Sequence, residues 1–119
     1  MSWLQKALGG GRGVGPQEAH DLVQAGAVLL DVREDSEWRA GHAPGARHIR
    51  LGDLDRGLAA LPRDREVVVV CRSGGRSARA TAILTRAGVE AVNLNGGMRA
   101  WAAAGLAVTS GNAQPGRVV

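Results

Sequence analysis

Cys71 is the only cysteine among 119 residues, and it opens the stretch CRSGGRS directly after four consecutive valines. Such a run of β-branched residues reads as a strand buried on both faces. A core cysteine that only packs has no need of two glycines and two arginines beyond it. Gly74 and Gly75 let the chain turn tightly, positive φ included, without a Cβ clash. A turn of this kind points successive N–H groups inward as an anion-binding nest. If a helix starts at once, its dipole acts in the same direction, and Arg72 and Arg76 add positive charge. Together these features favour thiolate over thiol. The expected chemistry is nucleophilic attack by Cys71.

One cysteine excludes an internal disulfide, a CxxC redox pair and any multi-cysteine metal site. His20, His42 and His48 fall in different segments without ligand spacing, so neither a metal nor another cofactor is expected. The chain is 45% hydrophobic and 22% charged, an ordinary globular composition large enough for one domain with a real core. With three Trp and no Phe or Tyr, that core must be built from Val, Leu, Ile and Ala. No apolar run approaches spanning length and the first residues lack a secretory apolar stretch, so a cytoplasmic protein off the membrane is expected. The net charge of +4 raises the possibility of nucleic acid. The arginines read as scattered, however, and no aromatic stacking platform accompanies them, so nucleic acid is not an expected partner. Only Lys6 among the fifteen basic residues is a lysine, a skew that reads as coding bias.

The elements that must position Cys71 alternate along the chain. Residues 16–26 read as a helix with Pro16 in its first turn and Gly26 at its stop. Residues 27–32 read as a buried strand, 34–41 as a helical turn, 46–49 as a short strand, and 51–62 as a helix ended by Pro62. After the valine strand, Ala80, Ile83, Leu84 and Ala87 recur at helical spacing, with Arg79 and Arg86 opposite. A strand over 90–94 and a last helix over 96–105 complete the pattern. Residues 1–13 read as an extension, in which Trp3, Leu4, Ala7 and Leu8 would share one helix face. Residues 107–119 read as a flexible tail. Such alternation implies an α/β domain with a mostly parallel sheet, and ligands then gather beyond the strands' carboxyl ends. Cys71 and Asp31 would both reach that edge.

Three stretches resemble one family. CRSGGRS after the valines is similar to the active-site loop of the rhodanese sulfurtransferases. LLDVREDSEWRAGHAPGARHI (29–49) resembles their upstream signature, and NLNGGMRAW (93–101) their closing one. The resemblance covers about 14–106 and implies a three-layer fold with a five-stranded, mostly parallel sheet flanked by helices. It implies that Cys71 carries a persulfide and that Arg72, Ser73, Gly74, Gly75, Arg76 and Ser77 form the substrate-binding loop. Asp31, Arg33, Glu34 and Glu37 match signature positions with a mostly structural, supporting role, with Arg33 expected to brace the loop edge through a nearby glutamate in a partly exposed ion pair. Trp38 and Trp101 are expected to pack, and His42 to have no catalytic role. The implied partners are a small anionic sulfur donor such as thiosulfate and an external acceptor. That acceptor is cyanide or a thiol, on a partner protein in one version, because no second cysteine can serve internally. Two alternatives stand beside this. Phosphatases and arsenate reductases use a C-x5-R loop, one residue longer than Cys71 to Arg76. A non-catalytic binding module of the same fold would usually lack the cysteine.

Overall fold

The computed structural model describes residues 12–111 and 114–119; the expected helix around Trp3 and Leu8 lies outside them. The strands are β1 (Arg12–Val14), β2 (Val28–Asp31), β3 (Arg47–His48), β4 (Val67–Val70) and β5 (Ala91–Leu94). They form one sheet in the order β1-β5-β4-β2-β3, with every pairing parallel. The helices are α1 (Pro16–Gln24), α2 (Asp35–Ala40), α3 (Leu54–Gly57), α4 (Gly75–Arg86) and α5 (Gly97–Ala103). This is the expected α/β architecture. None of the described helices is long and apolar enough to cross a membrane.

The four valines take their meaning from β4's central place. Successive side chains on a strand point to opposite faces. Val67 and Val69 enter one core with Leu30 of β2, Leu54 of α3 and Ala80 and Leu84 of α4. Val68 and Val70 enter the other core with Leu29, Leu94, Ala19 of α1 and Met98 and Trp101 of α5. All four valines are completely buried. Each contributes roughly 1.5–3 kcal/mol of transfer free energy relative to exposure. That anchorage fixes where β4 ends, and hence where Cys71 stands.

Three expectations need correction. The helix expected over 51–62 is broken into a 3-10 turn at Leu51–Asp53, the single-turn α3 and another 3-10 turn at Leu58–Ala60. Gly52 and Gly57 disfavour a continuous helix, and a Cβ on Gly57 would lie 2.8 Å from Ile49 Cδ1, so the chain here follows β3 closely. Arg12 and Gly13, expected in the N-terminal extension, belong to β1; three residues among glycines carry no period, and only the pairing with β5 makes them a strand. The segment expected as a flexible tail is hydrogen-bonded to the domain. His42 and Thr109 exchange N–H···O bonds of 2.9 and 2.8 Å, Gly116 N donates to Val108 O, and Arg117 N donates to Ala40 O. The physical reason is apolar cover, since Leu106, Val108 and Val118 pack against the second core.

Candidate active site

Cys71 follows β4 and is only 1% exposed, at the floor of the turn that leads into α4. Gly74 N–H points at its Sγ from 3.1 Å, and the Ser77 hydroxyl donates to the same sulfur from 3.3 Å. Burial is the largest single influence on the thiol and pushes its pKa up. The Ser77 hydroxyl and the N–H groups of Ser77, Gly74 and Ser73 together outweigh it, leaving the pKa below the ordinary thiol value. The nest thus forms as the sequence implies, but its working parts are hydrogen bonds rather than arginine charges. Of the two glycines only Gly74 needs its freedom, with φ +117° at the N-cap of α4. Gly75 has an ordinary φ and open space around its Cα.

The loop is held from behind by α5. Met98 N donates to Cys71 O at 2.8 Å and Arg99 N to Arg72 O at 3.0 Å, so the first turn of α5 caps the carbonyls of the cysteine peptide. This close approach depends on Gly97. Its φ is +60°, and a Cβ there would fall 2.4 Å from Cys71 O and 2.5 Å from Arg72 C and O. Asn93 on β5 adds a weaker contact, Nδ2 to Gly74 O at 3.4 Å. Sequence reasoning assigned none of these residues a role, although the glycine pair in NLNGGMRAW was in view.

Arg76 and Arg33 differ from expectation. The Arg76 guanidinium forms a fork with Glu37 of α2, Nη1 to Oε1 at 2.7 Å and Nη2 to Oε2 at 2.9 Å. These hydrogen bonds, against the effect of burial, hold the Glu37 carboxyl at about 2, below its usual 4.5. Glu37 raises the Arg76 pKa in turn, and the charge of Cys71 contributes in the same direction. Arg33 pairs not with a glutamate at the rim but with Asp31, and both are completely buried. Arg33 Nε and Nη2 donate to the carboxylate at 2.8–3.1 Å, Arg33 N donates to Asp31 Oδ1, and Nη2 also reaches Gly41 O. Asp31 does lie at the same sheet edge as Cys71, in register with Val70, but its carboxylate serves Arg33. The pair ties the end of β2 to the end of α2, the helix that carries Glu37.

Arg72 and Ser73 are exposed on the loop. Arg72 Nε donates to the Val119 main-chain oxygen at 2.8 Å. Trp38 stacks on His42 and His48 with ring centroids 3.6 and 4.7 Å apart, and Trp101 is buried with its Nε1 donating to Ala107 O. Both tryptophans pack. Among the described residues no three His, Cys, Asp or Glu side chains converge as metal ligands would. What the arrangement offers chemically is one thiol, biased towards thiolate by a nest of N–H groups, with an ion-paired arginine beside it and an exposed one on the rim.

Comparison with known proteins bears on this geometry. Residues 15–104 match the family described as Rhodanese-like domain. The chain is 47% identical over 73 residues to the protein YtwF of Bacillus subtilis, covering 61% of this chain and 71% of that one. It is 36% identical over 87 residues to the thiosulfate sulfurtransferase GlpE of Stutzerimonas stutzeri, covering 72% and 80%. Among solved structures, a rhodanese-related protein from Thermoplasma volcanium superposes with a TM-score of 0.78 at 30% identity, covering 82% of this chain and 97% of that one.

Proposed function

Given that the chain belongs to the rhodanese-like domain family, we propose that it is a sulfurtransferase working through a persulfide on Cys71. The observation that carries this reading is the sulfur itself, which accepts hydrogen bonds from Gly74 N–H and the Ser77 hydroxyl at the end of a rigid strand. In the first half-reaction the Cys71 thiolate attacks the outer sulfur of a thiosulfate-like donor. A new S–S bond forms on Cys71, the donor's own S–S bond breaks, and sulfite leaves with the electron pair. In the second, cyanide or a thiolate attacks the outer sulfur of the persulfide, and Cys71 leaves as thiolate.

The N–H groups of Ser73, Gly74 and Ser77 are placed to hold the negative charge of either sulfur form. Arg72, exposed on the rim, meets the anionic donor. Arg76 acts on position and field, because Glu37 already occupies its fork. The same pairing speaks against the phosphatase alternative, in which the arginine of the loop must turn into the cradle to grip a phosphoryl group. Gly75 and Ser73 shape the mouth, and Asp31 with Arg33 supports α2 behind it.

The test is thiocyanate formation from thiosulfate and cyanide. Wild-type protein should turn over, and Cys71→Ser should be inactive with an unchanged circular dichroism spectrum. Turnover persisting in Cys71→Ser would remove the assignment.

A further inference from the structure

Charge is divided unevenly along this chain. Residues 67–119 contain six arginines and a single acidic side chain, Glu90, whereas residues 1–66 contain nine basic and ten acidic ones. Glu90 precedes β5, at the sheet edge opposite Cys71, where its carbonyl accepts from Val67 N. On the edge that holds the cysteine loop the acids sit on the β2 side and are each engaged: Asp31 is buried on Arg33, Glu34 caps α2, Asp35 faces Arg50 and Glu37 pairs with Arg76.

The arginines that read as scattered are brought together there. Arg117 N donates to Ala40 O, which sets Arg117 beside Arg39 at the end of α2. Two residues further on, the Val119 main-chain oxygen accepts from Arg72 of the loop. Arg99 N donates to Arg72 O. Arg39, Arg117, Arg72 and Arg99 are all exposed, and these bonds put them on adjoining segments beside the loop, which we read as one basic ridge. None of the four pairs with an Asp or Glu side chain among the described residues, and the acids of α2 are engaged elsewhere, Asp35 with Arg50 and Glu37 with Arg76.

We propose that this ridge docks a protein acceptor with an acidic surface, whose exposed thiol takes the sulfur from Cys71. The proposal rests on the sulfurtransferase reading. A small anion can meet Arg72 but cannot span guanidinium groups carried on the end of α2, the returning C-terminal segment and the loop. A single-stranded nucleic acid would want a stacking platform, whereas Trp101 is buried and Trp38 is stacked on histidines; a duplex, bound through its phosphates, is separated by the test. In the transfer step the acceptor thiol loses its proton to solvent and its sulfur attacks the outer persulfide sulfur. The bond to Cys71 breaks, and its electron pair returns to the Cys71 thiolate. The step is redox-neutral and needs no further reactant.

The test uses persulfide-loaded protein and two synthetic peptides of equal length, each with one central cysteine, flanked by glutamates in one and by lysines in the other. Rates are normalised to each peptide's thiolate fraction. At low salt the acidic peptide should accept sulfur at least about tenfold faster, the lower end of electrostatic steering, and high salt should erase the difference. The double variant Arg39→Gln, Arg117→Gln should lose most of the preference while its rate with cyanide stays unchanged. Equal normalised rates for the two peptides, or an undiminished preference in the variant, would overturn the proposal. So would a random-sequence oligonucleotide duplex that binds the ridge while the acidic peptide gains nothing. Cyanide serves as the separating control. If it releases no thiocyanate the sulfurtransferase reading falls, and docking with it; if it does and charge has no effect, docking alone falls.

Discussion

Replacing Gly97 by alanine should damage both the fold and the sulfur chemistry, and Gly105→Ala provides the reference. Both glycines have positive φ, +60° and +80°, but a Cβ on Gly105 meets nothing within 4 Å, whereas one on Gly97 drives into the Cys71 and Arg72 carbonyls. Gly105→Ala therefore carries only the left-handed backbone penalty, about 1–2 kcal/mol. Gly97→Ala carries the same penalty plus overpacking, about 1–3 kcal/mol. Relief of the clash moves α5 away and weakens the Met98 and Arg99 bonds to the loop, each worth about 1 kcal/mol net. The excess over Gly105→Ala is then about 3 kcal/mol, a large part of the 5–15 kcal/mol that holds a typical domain together. With a urea dependence of about 2 kcal/mol per molar, the unfolding midpoint should fall more than about 1 M below that of Gly105→Ala. Sulfur loading measured well below that midpoint should also slow, because the carbonyls that fix the Cys71 peptide have moved. Equal midpoints together with wild-type loading would refute the idea that α5 braces the loop.

Three further outcomes follow from the site. Ser77→Ala removes the hydroxyl that most favours the thiolate, so the iodoacetamide rate profile of Cys71 should move to higher pH. It should move further than in Arg76→Ala, and an unmoved profile would contradict the assigned cause. Glu37→Gln breaks the fork with Arg76 and should cost about 1 kcal/mol, given partial exposure. Because the folded carboxyl sits at about 2, below its ordinary 4.5, this stabilisation is fully present above pH 4.5 and is lost as pH falls through about 2. The gap in urea midpoint between wild type and Glu37→Gln should accordingly be flat near neutrality and close in acid. Arg33→Met leaves the buried Asp31 carboxylate without its partner and should cost about 3–5 kcal/mol by thermal or urea unfolding. Stability within about 1 kcal/mol of wild type would show that the pair is not the brace described.

How much of this could be read from the sequence varies with how local the cause is. β4 and α4 were legible because four valines and the Ala80–Leu84 spacing announce their periods within one window. The nest of backbone N–H groups was legible for the same reason, since Cys71 and Gly74 lie within a single turn, whereas the Ser77 hydroxyl bond to the sulfur was not read. Glu37 and Arg76 are 39 positions apart, and only packing of α2 against the start of α4 brings them together. Gly97 carried a visible motif but no visible purpose, because its purpose is the lack of a Cβ opposite a peptide 25 residues earlier in the chain. β1 exists only through its partner. The arginine ridge was missed because charge was counted along the whole chain instead of by sheet edge.

The central claim is that Cys71 carries the transferred sulfur, and intact mass spectrometry tests it most directly. Native protein is incubated with thiosulfate, desalted and weighed, then treated with cyanide and weighed again, with Cys71→Ser alongside. The account predicts a gain of one sulfur atom on wild type, its removal by cyanide, and no gain on Cys71→Ser. A wild-type protein that turns thiosulfate and cyanide into thiocyanate without ever gaining that mass, or a sulfur adduct that survives in Cys71→Ser, would contradict it.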